Sequence, residues 1–560
     1  MRSLKRFAQE PFFSRKILTR LSKIRSLEVG LFLSMFIVSL FLNFSTQKYR
    51  VPNTDINQID LFSDLLIKNQ TLRYENGLNE EYGVLIFGIR SLLNFGGNYF
   101  VPSVLPGIIM IQSSFKFVNL PTFLINPVFV LVTLWFFNKI VSSFIFNERF
   151  WSLSTTVIFF SSGAFIFVSS LPFKDLVATS TFFAGLYYLL NGIYDKKAAN
   201  FALFGFFAGV TMWINYPNVL FYLPALGLYL LTVRNEMFKK QNLKNLIICF
   251  MFFLPLFVSL YVYQVSLFGS FLGFYNPAFS LNHYEEFNID RGNVSSFIFN
   301  VNAYSLVENF YNQFFLVNLL LISLSIFGFL IIVFDILKGK KANGVLSVML
   351  MVVAMQFFFY LGKTWSGVSY QGCVGTSYSR YLLISWGVLV ILSVYSVKRI
   401  LNSLNAGQML RKRVLALLII YLIVSGFAVG LGSKMAVGSW IETSEWAIEL
   451  RNDLINNTPE NSVIFTSFYD KFLYPARQTA IYVAIPEGER TNKTLTLMRE
   501  LLEDGYPVYI VDERDSYAIS PVLNEDEFEN NKLETELAFS SPTPAQIQDI
   551  DFYRITISKN

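Results

Sequence analysis

Residues 151–190 have the sequence WSLSTTVIFFSSGAFIFVSSLPFKDLVATSTFFAGLYYLL, in which the charged pair Lys174 and Asp175 separates two apolar runs. A transmembrane helix needs about 20 predominantly apolar residues, because the hydrocarbon core of a bilayer is about 30 Å thick. Each run is close to that length. This stretch therefore predicts two neighbouring transmembrane helices joined by a short polar turn.

The rest of the chain has a similar composition. Of its 560 residues 53% are hydrophobic, 60 are phenylalanine and 15% are charged, and the mean hydropathy is +0.45. A water-soluble protein could not bury so much apolar side chain. Only two cysteines are present, Cys249 and Cys373, which excludes a disulfide framework. We expect membrane lipids, and no nucleic acid, among its partners.

Eleven apolar runs predict an α-helical polytopic membrane protein. The expected spans are 28–46, 122–143, 151–171, 176–194, 199–215, 217–233, 245–267, 311–335, 344–362, 380–397 and 413–432. Two of the connecting loops, 47–121 and 268–310, are too long to be simple connectors, and loops of such length are often functional.

The positive charges predict the orientation. Segment 1–27 is rich in lysine and arginine, which places it in the cytoplasm by the positive-inside rule. It is not a cleavable signal, because the apolar run after it is long and lacks a small-residue cleavage site. The short loops that alternate to the other side contain only the cations Lys174, Arg291, Lys363 and Arg380. Eleven spans therefore put both long loops and the carboxyl terminus outside.

The first long loop contains segments suited to the membrane surface. Residues 58–66 and 85–93 are amphipathic, and the apolar run 101–117 is interrupted by Pro102 and Pro106. These patterns predict helices that lie in the interface between lipid and water.

The composition changes to that of a soluble domain near residue 433. Helical spacing alternates there with short β-rich runs, which predicts a small extracytoplasmic α/β domain, 433–560, after the transmembrane domain 28–432. The expected helices are 440–456 and 494–502, and the expected strands are 463–466, 481–485, 508–511 and 552–557. We assign it no catalysis, because it has no Gly-rich phosphate loop and no His or Cys cluster.

Asp55 follows shortly after the first predicted span, near the membrane surface. A carboxylate there could act as a general base that takes a proton from an acceptor hydroxyl. Asn53, Thr54 and Asp55 are also suited to cap the following helix, so that alternative stays open. Asp60 and Asp64 recur at helical spacing, which indicates a solvated face, although Asp60 competes with Asp55 for the catalytic role.

Three more candidates lie in loops predicted outside. Lys174 and Asp175 stand between two spans, where charge near the hydrocarbon is costly and indicates function. Lys174 could instead snorkel as an ordinary helix-end residue. His283, the only histidine, could bind a phosphate or relay a proton, or could be a plain surface residue. A single histidine speaks against a zinc site.

Segment 363–382 is rich in glycine, serine and aromatic residues and contains the cations Lys363 and Arg380. Arg380 opens an apolar run on the side expected to be poor in positive charge. An arginine fork suits a phosphate at the membrane surface, and Lys363 would add charge. A positional anchor at a helix end is the alternative.

These features resemble the GT-C glycosyltransferase superfamily, and within it the relatives of the protein O-mannosyltransferases and of the bacterial lipid A aminoarabinose transferase. Those proteins have many spans, a long first external loop and an acidic residue soon after the first span, where Asp55 stands here. Residues 61–66, 101–107 and 379–382 are similar to the helix, the Pro/Gly segment and the Arg-Tyr-Leu stretch of the family.

Two motifs depart from the family pattern. Members often have Gly-x-Arg-Tyr, where residues 378–381 are Tyr-Ser-Arg-Tyr, and many have Arg-Pro after the fifth span, where residues 215–217 are Asn-Tyr-Pro. Nothing resembles the Trp-Trp-Asp motif of oligosaccharyltransferases, which disfavours transfer of a whole oligosaccharide to asparagine.

The resemblance implies a polyprenyl-phosphate sugar as donor, a lipid, glycan or protein as acceptor, and transfer with inversion on the extracytoplasmic face. Asp55 would deprotonate the acceptor hydroxyl. The residues implied to bind the donor phosphate are Arg380, Tyr381, Lys363, Lys174 and His283. No cofactor is required, and a divalent metal ion held by Asp55 is left open.

Two other classes of function remain as alternatives. A transporter or flippase of lipid-linked saccharides is expected to have charges or Gly/Pro breaks at mid-membrane, whereas polar residues concentrate in the external loops here. A non-enzymatic receptor or assembly factor would leave the elaborate first loop unexplained.

Overall fold

The computed structural model describes residues 15–47, 54–75, 77–82, 92–94, 99–102, 104–234, 239–268, 302–338, 343–361, 374–375, 377–404, 407–433, 436–466, 469–474, 476–481, 487–512, 525–542 and 549–558. Most of them are helical. The helices before residue 234 are α1 (Arg15–Thr46), α2 (Thr54–Asn69), α3 (Gly77–Tyr82), α4 (Pro106–Phe117), α5 (Ile125–Ile140), α6 (Arg149–Phe160), α7 (Gly163–Ser170), α8 (Lys174–Asp195), α9 (Ala198–Asn215), α10 (Pro217–Leu220) and α11 (Leu223–Val233).

The remaining helices alternate with π-helical turns and lead into the carboxyl-terminal region. They are α12 (Lys240–Phe268), α13 (Ala303–Phe310), α14 (Leu319–Leu337), α15 (Gly344–Gln356), α16 (Ser377–Tyr381), α17 (Leu383–Ser403), α18 (Gln408–Gly432), α19 (Val437–Asn457), α20 (Asp470–Leu473), α21 (Glu487–Glu503) and α22 (Glu525–Asn530). The π-helical turns Val141–Ile145, Tyr311–Phe315 and Phe357–Leu361 extend α5, α13 and α15.

The described helices form a membrane-spanning bundle. Nine segments are long and apolar enough to cross a membrane, and α6 with α7, bent by 60°, makes a tenth if the pair is one span. These ten coincide with ten predicted spans, and the eleventh, 217–233, is a shorter apolar segment formed by α10 and α11. The chain is therefore a multi-pass helical membrane protein, which confirms the predicted fold class.

Two predicted spans have different starting points. The span predicted at 311–335 begins at Leu319, because the side chain of Asn318 caps α14 by accepting a hydrogen bond from the Leu321 backbone N–H at 3.1 Å. The span predicted at 380–397 begins at Leu383. Arg380 therefore lies in the short helix α16 and does not open the span.

At one end of the bundle, here called the charged end, the loops that are predicted on the same side of the membrane contact one another. Arg149 pairs with Glu28 of α1, and the Lys398 Nζ atom lies 3.2 Å from a carboxylate oxygen of Glu148. Asn343 donates from Nδ2 to the carbonyl oxygen of Phe144 at 2.7 Å. The loops predicted on one side thus meet at one end.

Two sheets lie among the described residues. The first is antiparallel, with the order β1–β3–β2, and its strands are β1 (Tyr74–Glu75), β2 (Leu92–Asn94) and β3 (Tyr99–Pro102). The second has the order β5–β4–β6–β8–β7, with strands β4 (Val463–Thr466), β5 (Gln478–Ile481), β6 (Val508–Val511), β7 (Leu533–Ser541) and β8 (Ile550–Ile557). Strand β4 runs parallel to β5 and β6, and the other pairs are antiparallel.

Several predictions in these regions need correction. The predicted helix 85–93 is wrong at residues 92 and 93, which belong to β2 and pair with β3, and residues 83–91 lie outside the described part. The described strand β5 (Gln478–Ile481) shares only Ile481 with the predicted strand 481–485, because residues 482–485 lie outside the described part. Strand β7 was not predicted, because it is an edge strand whose residues are mostly exposed and lack an apolar alternation.

Candidate functional site

The structure describes half of the predicted site residues. Lys174 is the first residue of α8, and Arg380 and Tyr381 end α16. Asp55 lies in the first turn of α2, but its side chain is outside the described part. The predicted residues that lie wholly outside it are His283 and Lys363.

The end of α7, from which the chain turns into α8, is fixed by buried polar side chains. Asn43 of α1 donates from Nδ2 to the carbonyl oxygen of Ser169 at 2.7 Å. Thr46 donates from Oγ1 to the carbonyl oxygen of Ser170 at 2.7 Å, and Asn126 of α5 donates to Ser169 at 3.2 Å. These hydrogen bonds satisfy carbonyl groups that have no donor within the helix because they lie at its end. The bonds therefore hold the turn before Lys174 in one conformation.

Arg380 packs against this turn. Its Cζ atom lies 4.5 Å from the centroid of the Phe173 ring, a distance at which a cation is attracted by an aromatic face. Phe173 immediately precedes Lys174 and is 2% exposed. Asp175, in the first turn of α8, is also buried. The structure therefore brings Arg380 to the residue next to Lys174, at the end of the bundle opposite the charged end.

A side-chain amide bridges the break between α16 and α17. In a continuous helix the Ser385 N–H would bond to the carbonyl oxygen of Tyr381. Instead Gln356 donates from Nε2 to the Tyr381 oxygen at 3.3 Å and accepts from the Ser385 N–H at 2.9 Å. The Tyr381 ring also stacks on Tyr360, with centroids 5.2 Å apart. Gln356 and Tyr360 thus fix the helix end that carries Arg380.

The carboxylates of Asp60 and Asp64 are engaged by α4. Gln112 donates to Asp60, and the Lys116 Nζ atom lies 2.8 Å from Asp64 and 3.5 Å from Asp60. Paired carboxylates that hold two helices together are poor candidates for a catalytic base. The Asp60 and Asp64 carboxylates therefore join α2 to α4.

Helix α2 packs beside the start of α8. Ile59 and Phe62 lie in one buried cluster with Val177 and Ala178, which follow Lys174 by about one turn. Asp55 precedes Ile59 by one turn on α2. The backbone of Asp55 is therefore placed at the same end of the bundle as Lys174 and Arg380.

Sequence reasoning missed three residues that organise this site. They are Phe173, Gln356 and Trp440. A lone amide in an apolar span is a recognisable signal for Gln356, because an uncompensated polar group in a membrane is costly. Phe173 and Trp440 gave no signal, since the chain contains so many aromatic residues.

Comparison with known proteins bears on the fold. No family model matches the sequence, and no curated protein matches it significantly. The structure is similar to ArnT from Cupriavidus metallidurans bound to undecaprenyl phosphate, with a TM-score of 0.55 and 11% identity over 96% of this chain and 99% of that chain. For the apo state of ArnT the TM-score is 0.52 with 12% identity over 96% and 98%.

Another similar structure is the arabinofuranosyltransferase AftD from Mycobacteria, at a TM-score of 0.49 with 10% identity over 94% of this chain and 40% of that chain. The likeness to ArnT covers both the helical bundle and the carboxyl-terminal sheet, because nearly all of each chain is matched. The resemblance expected from the sequence is confirmed at the level of architecture, because this chain has the fold of ArnT.

Proposed function

We propose that the protein is a membrane glycosyltransferase that moves a sugar from a polyprenyl-phosphate donor to an acceptor hydroxyl. The observation that carries this proposal is the likeness to ArnT over almost the whole of both chains, in a structure of ArnT bound to undecaprenyl phosphate. The position of Arg380 beside the start of α8 adds support, because an arginine at a membrane surface suits a lipid phosphate.

The proposed reaction is a substitution at the anomeric carbon. The acceptor oxygen attacks the anomeric carbon. The bond between that carbon and the phosphate oxygen breaks, and its electron pair passes to the phosphate. The acceptor proton moves to the Asp55 carboxylate, acting as general base. The products are the glycosylated acceptor and polyprenyl phosphate, and attack opposite the leaving group inverts the configuration.

Cations assist because the leaving phosphate gains negative charge. We propose Arg380 as the main contact, with Lys174 beside it, and His283, Lys363 and Tyr381 as further phosphate-binding residues. Preorganised positive charge at a group that becomes more negative lowers the barrier. The substitution changes no oxidation state, so no redox cofactor is involved. Among the described residues no group of three or more His, Cys, Asp or Glu is placed to hold a metal ion.

We further propose that the reaction takes place on the extracytoplasmic face. Segment 1–27 would be cytoplasmic, 28–432 would form the transmembrane domain, and 433–560 would form an extracytoplasmic domain. The supporting observation is that Lys174 and Arg380, which the charge pattern predicts outside, lie at the end of the bundle opposite Glu28 and Arg149.

A transfer assay in membranes tests the proposal. Radiolabelled polyprenyl-phosphate sugars are supplied to wild type and to Asp55→Asn, Arg380→Ala and Asp60→Asn at matched expression. We expect Asp55→Asn and Arg380→Ala to lose roughly 100-fold or more in rate, since they remove a general base and a charge contact. Asp60→Asn is the control and should transfer at a rate close to wild type. Normal transfer by Asp55→Asn would overturn the assignment of the base.

A further inference from the structure

We propose that Phe173, supported by Trp440, is a positioning residue that holds the Arg380 guanidinium for the donor phosphate. This inference rests on the proposed function, because it takes Arg380 as the phosphate-binding group. It assigns a role to two residues that do not themselves contact the substrate.

The geometry of the contact is suited to this task. The Arg380 Cζ atom lies 4.5 Å from the Phe173 ring centroid, within the range of a cation–π interaction. A guanidinium is planar, and its N–H groups point outward in that plane. The Phe173 ring attracts this cation through its π face and, unlike a carboxylate, does not form the paired hydrogen bonds that a phosphate would form. The ring also brings no negative charge that would compete with the phosphate.

Phe173 is itself held firmly. It is 2% exposed, and its ring packs against Phe167 and Trp440, with centroids 5.7 Å and 6.0 Å away. It precedes the first residue of α8 in the turn whose α7 side is fixed by Asn43 and Asn126. A flexible arginine that rests on a fixed ring loses less conformational freedom when a ligand arrives, which raises affinity.

Trp440 extends this arrangement to the carboxyl-terminal region. It lies in α19, the helix that connects the last span to strand β4, and its ring meets those of Phe167 and Phe173 nearly edge to face. The position of α19 therefore constrains Phe173, and through it Arg380. This gives the carboxyl-terminal region a physical connection to the proposed phosphate site.

Binding of undecaprenyl phosphate to the purified full chain in detergent tests the inference. The variants are Phe173→Leu, Phe173→Tyr, Arg380→Ala and Trp440→Leu. The control is Phe182→Leu, which removes a buried ring of α8 that stacks on Tyr222, with centroids 4.8 Å apart. We expect Phe173→Leu to weaken binding roughly 3- to 30-fold, the equivalent of one cation–π contact.

The other variants separate positioning from general loss of packing. Phe173→Tyr should bind close to wild type, because it restores the ring, and Phe182→Leu should bind normally. Trp440→Leu should weaken binding in the same direction but less. In the double variant with Arg380→Ala, Phe173→Leu should cause no further loss, since the group that it positions is gone. In the transfer assay Phe173→Leu should raise the donor KM more than it lowers kcat.

Three results would contradict the inference in distinguishable ways. If Arg380→Ala weakens binding but Phe173→Leu binds like wild type, the positioning role is wrong and the phosphate site stands. If Arg380→Ala itself binds normally, the proposed phosphate site fails and the inference fails with it. Equal weakening of binding by Phe173→Leu and Phe182→Leu would show that the loss comes from general packing. That result would also overturn the positioning role.

Discussion

Gln356 decides the local structure around Arg380. Its amide replaces the helical bond between the Tyr381 oxygen and the Ser385 N–H, so Gln356→Leu leaves both backbone groups without this partner. We expect the free energy of unfolding to fall by about 1–3 kcal/mol. Unfolding of the purified chain in detergent measures this.

Gln264→Leu is the matched control for that change. Gln264 is also buried, but among the described residues its Oε1 atom has no hydrogen-bond partner, so leucine there should cost little or should stabilise the chain. Equal destabilisation by the two variants would show that the Gln356 bridge contributes nothing specific.

Charge and position along the chain could predict some residues of the site, but not the residues that hold them in place. Arg380 and Lys174 stand out because cations are rare on that side of the predicted bundle, and the structure does bring Arg380 to the turn before Lys174. Phe173 and Gln356 act through contacts with residues far away in the chain. Such pairings depend on how the helices pack, which the local sequence does not state.

At the scale of helices, α18 approaches the bend between α6 and α7 without room for a side chain. A Cβ atom on Gly426 would lie 1.7 Å from the backbone oxygen of Ser161, whereas a Cβ atom on Gly432 would meet nothing within 4 Å. Small residues let membrane helices approach in this way. This contact fixes the bend that leads to α7 and the site.

We therefore expect Gly426→Ala to lower the melting temperature and Gly432→Ala to leave it unchanged or raise it slightly. The first should cost about 1–3 kcal/mol through overpacking, while alanine is the better helix former where space allows. Thermal unfolding of the purified variants measures the difference. A stability of Gly426→Ala equal to that of Gly432→Ala would contradict the close approach.

The sequence predicted helices and strands best where one physical requirement dominates. The length of apolar runs gave the positions of the spans, because the bilayer thickness sets that length. The break at residues 381–385 and the edge strand β7 could not be predicted, since the first depends on the distant Gln356 and the second lacks an apolar face. The start of α14 follows from the local cap at Asn318, a signal that the length of an apolar run does not contain.

Across the whole molecule, the first long loop and the carboxyl-terminal sheet share a core. Leu78 of α3 is buried among Val463, Met498 and their neighbours, and Tyr82 donates to Asp504 at 2.6 Å. Burial, and then the hydrogen bond with Asp504, raise the pKa of Tyr82 above its ordinary value of 10.0. The phenol therefore stays protonated, and any stability from this contact is fully present below pH about 10 and is lost only as the pH rises through the raised pKa.

The orientation of the whole chain predicts which positions a membrane-impermeant thiol reagent can reach. In a variant with both native cysteines replaced by serine, Glu536→Cys on β7 should be labelled in intact cells. Lys197→Cys, at the end of α8 opposite Lys174, should be labelled only after the membrane is opened. The reverse pattern would place the carboxyl-terminal sheet in the cytoplasm and contradict the proposed side of the reaction.

The most direct test of the central claim is to measure polyprenyl phosphate released by the purified protein from a mixture of polyprenyl-phosphate sugars and membrane acceptors, by mass spectrometry. The account predicts that wild type converts a donor to polyprenyl phosphate together with a glycosylated acceptor, and that Asp55→Asn does not. If donors remain intact in detergent but cross the bilayer of reconstituted vesicles when the protein is present, the protein moves lipid-linked saccharides and does not transfer the sugar.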